Sequence, residues 1–348
     1  MRRPTVVKLG SSLVAHEDGE PRVDLLAAVA AAISARVAER DPVAVVSSGA
    51  IALGRRKGGG RRRTSALAQL QAASALGQAE LQQLWQAAFA PHALHVAQVL
   101  LTASDLTERR SYLNVRDALT ALFDAGAVPV INENDATATD EISFGDNDVL
   151  AAQAAVLLRA RRLVLLTAVG GILAAPPEGG AGEVVADGAA VSEAMLGAAS
   201  PLGRGGPASK VAAARLAAAG GVETFVAAPA DLVELLAGRA AGTRFPAHAE
   251  GESAFKLWLR YGKRTTADLR VDDGAATAVR DRGASLLAVG VLDWSADFRA
   301  GDGVVVCDRD GRPLARGVAA VDAAALAGRP RDTEVVHRDR LVLLRPGE

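Results

Sequence analysis

Two lysines far apart in the chain, Lys8 and Lys210, each stand beside glycine and small hydroxyl residues. Lys8 lies in Val7-Lys8-Leu9-Gly10-Ser11-Ser12, at the end of an apolar run. The glycine allows close backbone approach, the hydroxyls donate and the ammonium supplies a point charge, a combination that suits an anion. Alone, the motif reads equally as a snorkelling edge lysine. Lys210 closes Gly203-Arg204-Gly205-Gly206-Pro207-Ala208-Ser209-Lys210, which opens a helical pattern. A glycine-rich turn, a helix N-terminus and a lysine together form a phosphate cradle; the bland alternative is a flexible loop with an exposed lysine. It is not a Walker A loop, since Lys does not directly follow the last Gly. No G-x-G-x-x-G follows the first strand, which weakens a dehydrogenase reading.

A second set of groups is acidic and carboxamide-rich: Asn132-Glu133-Asn134-Asp135, then Gly145-Asp146-Asn147-Asp148. Both segments are placed just past the apolar run Ala127–Ile131, at a strand's C-terminal end, where Asn, Asp and Gly do nothing for regular structure. In an open α/β sheet that edge binds ligands. Ser47-Ser48-Gly49-Ala50 follows the second strand in the same way and exposes backbone N–H groups to a carboxylate or phosphate, although Ser-Gly is also ordinary turn chemistry. Two lysines, glycine-rich loops and an amide-and-carboxylate cluster suit phosphoryl transfer, which is mostly positioning and charge neutralisation. Ser48 with the Gly49 loop, Asp135 and Asn147 would then hold the acceptor. Thr167-Ala168-Val169-Gly170-Gly171-Ile172 reads alone as a turn. His16, His92, His95, His248 and His337 lack metal-ligand spacing, and no metal site is expected.

Short β-branched runs must position these groups. Strands are expected at Thr5–Leu9, Val43–Ser47, Leu94–Gln98, Val128–Ile131, Leu163–Thr167 and Thr224–Ala228. Helices are expected at Asp24–Glu39, Ser65–Phe89, Ser111–Asp124, Asn147–Arg159 and Ser209–Ala219. Buried strands alternating with helices predict a mainly parallel sheet covered on both faces. Past Arg244 and a polar stretch, short strands punctuated by Asp-Asp-Gly, Arg-Gly and Gly-Asp-Gly predict a small, mostly β barrel.

Length and composition bound the rest. With 348 residues the prior is about two domains. Hydrophobic residues make up 50%, Ala the commonest among them, with 3% aromatics, so core helices should pack closely through small side chains. A net charge of −1 argues against general affinity for nucleic acid or acidic membrane. Arg55-Arg56-Lys57 with Arg61-Arg62-Arg63 reads as a solvated loop or, less simply, a phosphate-attracting patch. Cys307 is the single cysteine, so no internal disulfide forms, which fits a reducing cytoplasm. The start Met1-Arg2-Arg3 leads straight into a strand, and no long uncharged apolar run occurs, so a soluble cytoplasmic protein is expected.

Across nearly its whole length the chain resembles the glutamate 5-kinases of the amino acid kinase family, which carry a C-terminal PUA domain. The resemblance rests on Val7-Lys8-Leu9-Gly10-Ser11-Ser12, Ser47-Ser48-Gly49-Ala50-Ile51-Ala52, Leu113-Asn114-Val115-Arg116-Asp117, Val128-Pro129-Val130-Ile131-Asn132-Glu133-Asn134-Asp135, Gly145-Asp146-Asn147-Asp148 and Gly242-Thr243-Arg244-Phe245. In the second part Val271-Asp272-Asp273-Gly274-Ala275, Gly283-Ala284-Ser285-Leu286-Leu287 and Phe298-Arg299-Ala300-Gly301-Asp302 resemble the PUA pattern. The resemblance implies a three-layer αβα sandwich over residues 1–250, a linker over 251–267 and a PUA barrel over 268–348. It implies ATP-dependent phosphorylation of the L-glutamate side-chain carboxylate to glutamyl 5-phosphate, for proline synthesis. Lys8 and Lys210 would neutralise the transferred phosphoryl group and Asp148 orient them; Ser48, Gly49, Asp135 and Asn147 would hold glutamate. Thr167, Ala168, Gly205, Gly206, Ser209 and Lys210 would line the nucleotide pocket, with Lys8 reaching the phosphates, and Mg²⁺ is expected on the ATP phosphates. Members of the family are usually oligomeric and inhibited by proline at the glutamate site.

Departures from the family pattern fall on the nucleotide side. Ala168 replaces an Asp, Ala175-Pro176-Pro177-Glu178 replaces Asp-Pro-Arg, and Arg204 and Pro207 replace Thr and Met. A working kinase with altered nucleotide affinity is the expectation. Kinases of the same fold acting on aspartate, acetylglutamate or carbamate are disfavoured by the intact acceptor segments. A catalytically silent homologue binding RNA through its tail is disfavoured too, because residues 268–348 mix Asp and Glu with their arginines and offer only Trp294 and Phe298 as aromatics.

Overall fold

The computed structural model describes residues 2–57, 67–102, 104–106, 109–137, 147–174, 182–196, 206–248, 254–257, 259–260, 263, 265–326, 328 and 330–344. The chain divides into two compact units, Met1–Ala254 and Phe255–Glu348.

In the first unit the strands are β1 (Thr5–Leu9), β2 (Val43–Ser47), β3 (Val96–Leu101), β4 (Val128–Glu133), β5 (Arg162–Leu166), β6 (Glu223–Ala227) and β7 (Thr243–Phe245). They form one seven-stranded sheet in the order β3-β4-β2-β1-β5-β6-β7. All neighbours are parallel except β6 and β7. Between the strands run α1 (Ser11–Val14), α2 (Val23–Ala38), α3 (Ala50–Lys57), α4 (Leu67–Phe89), α5 (Arg109–Asp124), α6 (Asn147–Leu157), α7 (Pro207–Ala219) and α8 (Leu232–Leu236).

Side chains alternate across a strand, so each strand feeds two cores. Val7, Leu9, Val43, Val45, Val128 and Val130 pack with Ile33 of α2, Trp85 and Phe89 of α4 and Leu235 of α8. The opposite face meets α5, α6 and α7, giving the αβα sandwich. As the Ala-rich composition predicts, α6 and α7 pack through Ala151, Ala154, Ala155, Ala213, Ala214 and Ala217, all fully buried. Chain direction reverses about β1: the path from β1 leads to β2 on one side, and that from β5 leads to β6 on the other. The edge between β1 and β5 is therefore the topological switch point, where such sheets bind ligands.

α3 and α4 meet backbone to backbone. A Cβ on Gly54 would stand 1.7 Å from the Ala73 carbonyl oxygen, and one on Gly77 1.8 Å from that of Ala50. Only glycine at both positions allows this approach, and it ties the loop before α3 to the body of α4.

Most expected elements are present within two residues. Three differences have physical causes. β4 runs on through Asn132 and Glu133, which the sequence places beyond the strand, because β3 continues to pair with them (Leu100↔Asn132, Leu101↔Glu133). The same pairing moves β3 to Val96–Leu101. Arg55, Arg56 and Lys57 are the last turn of α3 rather than a loop, where cations favour the helix dipole; Arg56 ion-pairs with Glu80 and Glu20, and Lys57 with Glu80. Arg61, Arg62 and Arg63 lie outside the described residues.

α9 (Ala254–Leu257) begins at the last residue of the first unit, and the second contains β8 (Thr265–Val271), α10 (Asp273–Arg282), β9 (Leu286–Leu287), β10 (Val291–Trp294), β11 (Gly303–Cys307), β12 (Pro313–Val318), β13 (Glu334–Val336) and β14 (Leu341–Leu343). Five strands form the sheet β10-β8-β11-β12-β14, and β13 pairs with β9. Leu269, Val304, Val306, Ala315, Val335 and Val336 form its core. The Asp-Asp-Gly read as turn punctuation opens α10: the Asp272 carboxylate accepts from the Ala275 amide at 2.7 Å, an N-cap. Cys307 is buried, and burial with Asp268 and Asp308 nearby pushes its thiol up to about 11, so it stays an unreactive thiol.

Candidate active site

The site is built on the C-terminal ends of β1, β2, β4 and β5, a single edge because these strands are parallel. Lys8 is the fourth residue of β1 and only 4% exposed. Its side chain lies on the α6 face, and its Nζ is 2.5 Å from Oδ1 of Asp148. Asp148 is the second residue of α6 and is fully buried. Lys210, four residues into α7 from the Gly206 N-cap, places its Nζ 3.1 Å from Asp148 Oδ2. Ser209 Oγ donates to the same oxygen at 3.3 Å. Two ammonium groups separated widely in sequence thus meet across one carboxylate.

Electrostatics keep that carboxylate charged. Burial alone would push the Asp148 carboxyl up; the charges of Lys8 and Lys210, and their hydrogen bonds, outweigh burial and hold it below the ordinary carboxylate range. The N-termini of α6 and α7 open at the same place, adding the positive ends of two helix dipoles. Such an edge is a polyanion site.

A second polar network is set by the neighbouring residue of α6. Asn147 Nδ2 donates to Ser48 Oγ at 3.0 Å and to Asn132 Oδ1 at 3.1 Å. The Glu133 amide donates to Asn132 Oδ1 at 2.9 Å and to Asn147 Oδ1 at 3.3 Å. Asn132 Nδ2 in turn donates to Gln78 Oε1 of α4 at 2.8 Å. Asp135, 6% exposed, accepts from Ser74 Oγ of α4 at 2.5 Å. Asn147 and Asp148 are adjacent at the start of one helix, so roughly 100° of helical rotation turns one toward Ser48 and Asn132 and the other toward the two lysines.

The Ser48-Gly49 loop needs its glycine. Gly49 has φ +115°, and a Cβ there would meet Val14 Cγ1 at 2.7 Å. One loop N–H expected to face a ligand is committed elsewhere, the Ser48 amide donating to the Leu9 carbonyl at 3.1 Å; the Ser47 hydroxyl accepts from Trp85 Nε1 at 2.9 Å.

Just past β5, Thr167, expected to border the nucleotide, is half-buried, and its amide donates to the Ala227 carbonyl at 2.9 Å. Ala168 is exposed beside it. Gly206 has φ +150° and caps α7, and Pro207 takes the first helical position, where proline's missing N–H costs nothing. Gly205, Arg204, Gly145 and Asp146 lie outside the described residues.

The structure brings together Lys8, Lys210, Asp148 and Ser209 as one cluster, and Ser48, Asn147 and Asn132 as another, with Asp135 anchored on α4. Sequence reading missed Ser74 and Gln78. Their signal was available: with Leu70, Leu81 and Trp85 they form one helical stripe, and two polar residues in a buried apolar stripe need partners. Among the described residues no three His, Cys, Asp or Glu side chains form a metal cage. Both Asp148 oxygens already face lysines, so Asp148 does not fit as a ligand of a protein-held Mg²⁺.

The amino acid kinase family matches residues 3–228 and the PUA domain residues 268–335. A glutamate 5-kinase of Pseudomonas entomophila is 41% identical, over 97% of both chains. One from Frankia casuarinae is 40% identical, over 99% of this chain and 97% of the relative. One from Novosphingobium aromaticivorans is 42% identical, over 97% and 95%. The chain belongs to the amino acid kinase family, among the glutamate 5-kinases.

Proposed function

We propose that the protein transfers the γ-phosphoryl group of ATP to the side-chain carboxylate of L-glutamate, forming glutamyl 5-phosphate for proline synthesis. The observation that carries this reading is the convergence of Lys8 and Lys210 on the two oxygens of Asp148, beside the Asn147–Ser48 pocket. The acceptor carboxylate is already ionised at neutral pH, so attack on the γ-phosphorus needs no general base. Asp148, held ionised by its partners, is suited to orienting charge rather than moving a proton. The two ammonium groups stabilise the negative charge spread over the transferring oxygens, the main task in phosphoryl transfer. Ser48, the Gly49 loop and Asn147 read the acceptor's α-carboxylate, and Asp135 its ammonium group. Thr167, Ala168, Gly205, Gly206 and Ser209 border the nucleotide.

Magnesium in this reading arrives on the ATP phosphates, held by them and by water, and lowers the charge that the lysines must offset. Residues 1–250 would constitute the kinase domain, 251–267 a linker and 268–348 the PUA domain. Proline would compete for the acceptor pocket through its own carboxylate and amine, and the protein would self-associate. The single cysteine suits a reducing cytoplasm, and no helix among the described residues is long and apolar enough to cross a membrane.

The test is ADP release with glutamate and Mg-ATP, with hydroxylamine present to trap the acyl phosphate as a hydroxamate. Glutamate-dependent hydroxamate supports the reading. Turnover with aspartate, acetylglutamate or carbamate but not glutamate would reassign the acceptor, and ATP turnover without hydroxamate would remove carboxyl transfer altogether.

A further inference from the structure

We propose that Ser74 is a positioning residue of the acceptor pocket: it holds the Asp135 carboxylate in the orientation that meets the substrate's ammonium group. The inference deepens the glutamate-kinase reading and rests on it. Ser74 sits among alanines in Ala72-Ala73-Ser74-Ala75, within α4 and 4% exposed. A serine there forms helix less well than alanine, and a buried hydroxyl is unfavourable unless bonded. Serines inside helices ordinarily donate to the carbonyl four residues back, as Ser34 does to Ala30 at 2.7 Å. Ser74 instead reaches across to Asp135, 61 positions away in sequence, at 2.5 Å.

Asp135 lies in the turn after β4, where two side-chain torsions decide which way its oxygens face. The bond from Ser74 fixes one oxygen and with it the plane of the carboxylate. Its donor is rigidly mounted, since the close approach at Gly54 and Gly77 fixes α4 against α3. Ser74 touches no reacting atom in this account. It acts through Asp135, on acceptor affinity and not on phosphoryl charge.

The experiment is steady-state kinetics of the full chain with a double-mutant cycle. Ser74→Ala should raise the glutamate KM by about five- to tenfold, with kcat and the ATP KM within about twofold and no loss of Tm. In an Asp135→Ala background the same change should leave the glutamate KM unmoved, because the group it acts through is gone. A wild-type glutamate KM in Ser74→Ala, or the same fold-change with and without Asp135, overturns the inference while leaving the kinase reading intact. Failure of the unmutated chain to phosphorylate glutamate defeats the kinase reading itself, and the positioning role falls with it.

Discussion

Replacing Asp148 by asparagine keeps the shape of the site and removes the single charge between two lysines. Its oxygens lie 2.5 and 3.1 Å from Lys8 and Lys210. At an effective dielectric of about 20 each contact is worth roughly 5–7 kcal/mol of gross Coulomb energy. Desolvation of three charges cancels most of that, and removing one partner of a buried pair typically costs about 3–5 kcal/mol. Asp148→Asn should therefore lose about 3–5 kcal/mol of unfolding free energy at pH 7, measured by urea titration, and about 10²–10³-fold in kcat, measured by hydroxamate formation. The pH profile adds a sign. Because the native carboxyl titrates below its ordinary value, its contribution is fully present above the unfolded pKa of about 3.9. It fades as pH falls through the lower native value. Wild type and variant should differ at neutral pH and converge in acid below about pH 4. Saturating ATP should also stabilise the variant more than the wild type, since polyphosphate replaces the missing counter-charge. A variant with wild-type kcat and the same acid profile would refute the idea that Asp148 organises the lysines.

Lys8→Ala and Lys210→Ala should each lower kcat by about 10²–10³-fold with far smaller change in glutamate KM; unchanged turnover in either removes that lysine from the chemistry. Asn147→Ala, by breaking the bridge to Ser48 and Asn132, should raise glutamate KM about tenfold or more, and a normal KM would mean that the pocket is misassigned. Ala168→Asp should tighten ATP, by about 1–3 kcal/mol if the restored carboxylate meets a buried partner, read by calorimetry; weaker binding contradicts it. Arg162 sits under the sheet's other end, donating to the carbonyls of Leu235 and Arg239 and pairing with Glu223 while covering the Phe225 ring. Arg162→Ala should cost about 3 kcal/mol or more of stability and leave glutamate KM alone, checked by denaturation beside kinetics.

Much of this architecture was legible from periodicity, because apolar strands such as Thr5–Leu9 and Val43–Ser47 are buried on both faces and carry no competing pattern. The limits are equally physical. Nothing in Asn132-Glu133 favours a strand, and pairing with β3 imposes one. Asp272-Asp273-Gly274 looks like a turn, yet Asp272 is a helix cap, since the same short polar side chain serves both uses. The antiparallel β7 is three residues long, too short for any period to show. At the site, residues at strand ends stand out by composition, whereas the helical stripe of Ser74 and Gln78 shows only that two buried polar groups need partners. Which partners they find depends on which strand that helix crosses, and one-dimensional spacing does not contain that information.

The paired glycines of α3 and α4 also constrain how such an enzyme can evolve. With no side-chain layer between the helices, neither can be retuned by small changes in volume, and every substitution at 54 or 77 starts with a steric collision. That seam is effectively frozen. Under the proposed function, a descendant adapting to a longer or bulkier acid would have to change groups such as Asp135 or Ser48 and keep the helical seam beside them as inherited.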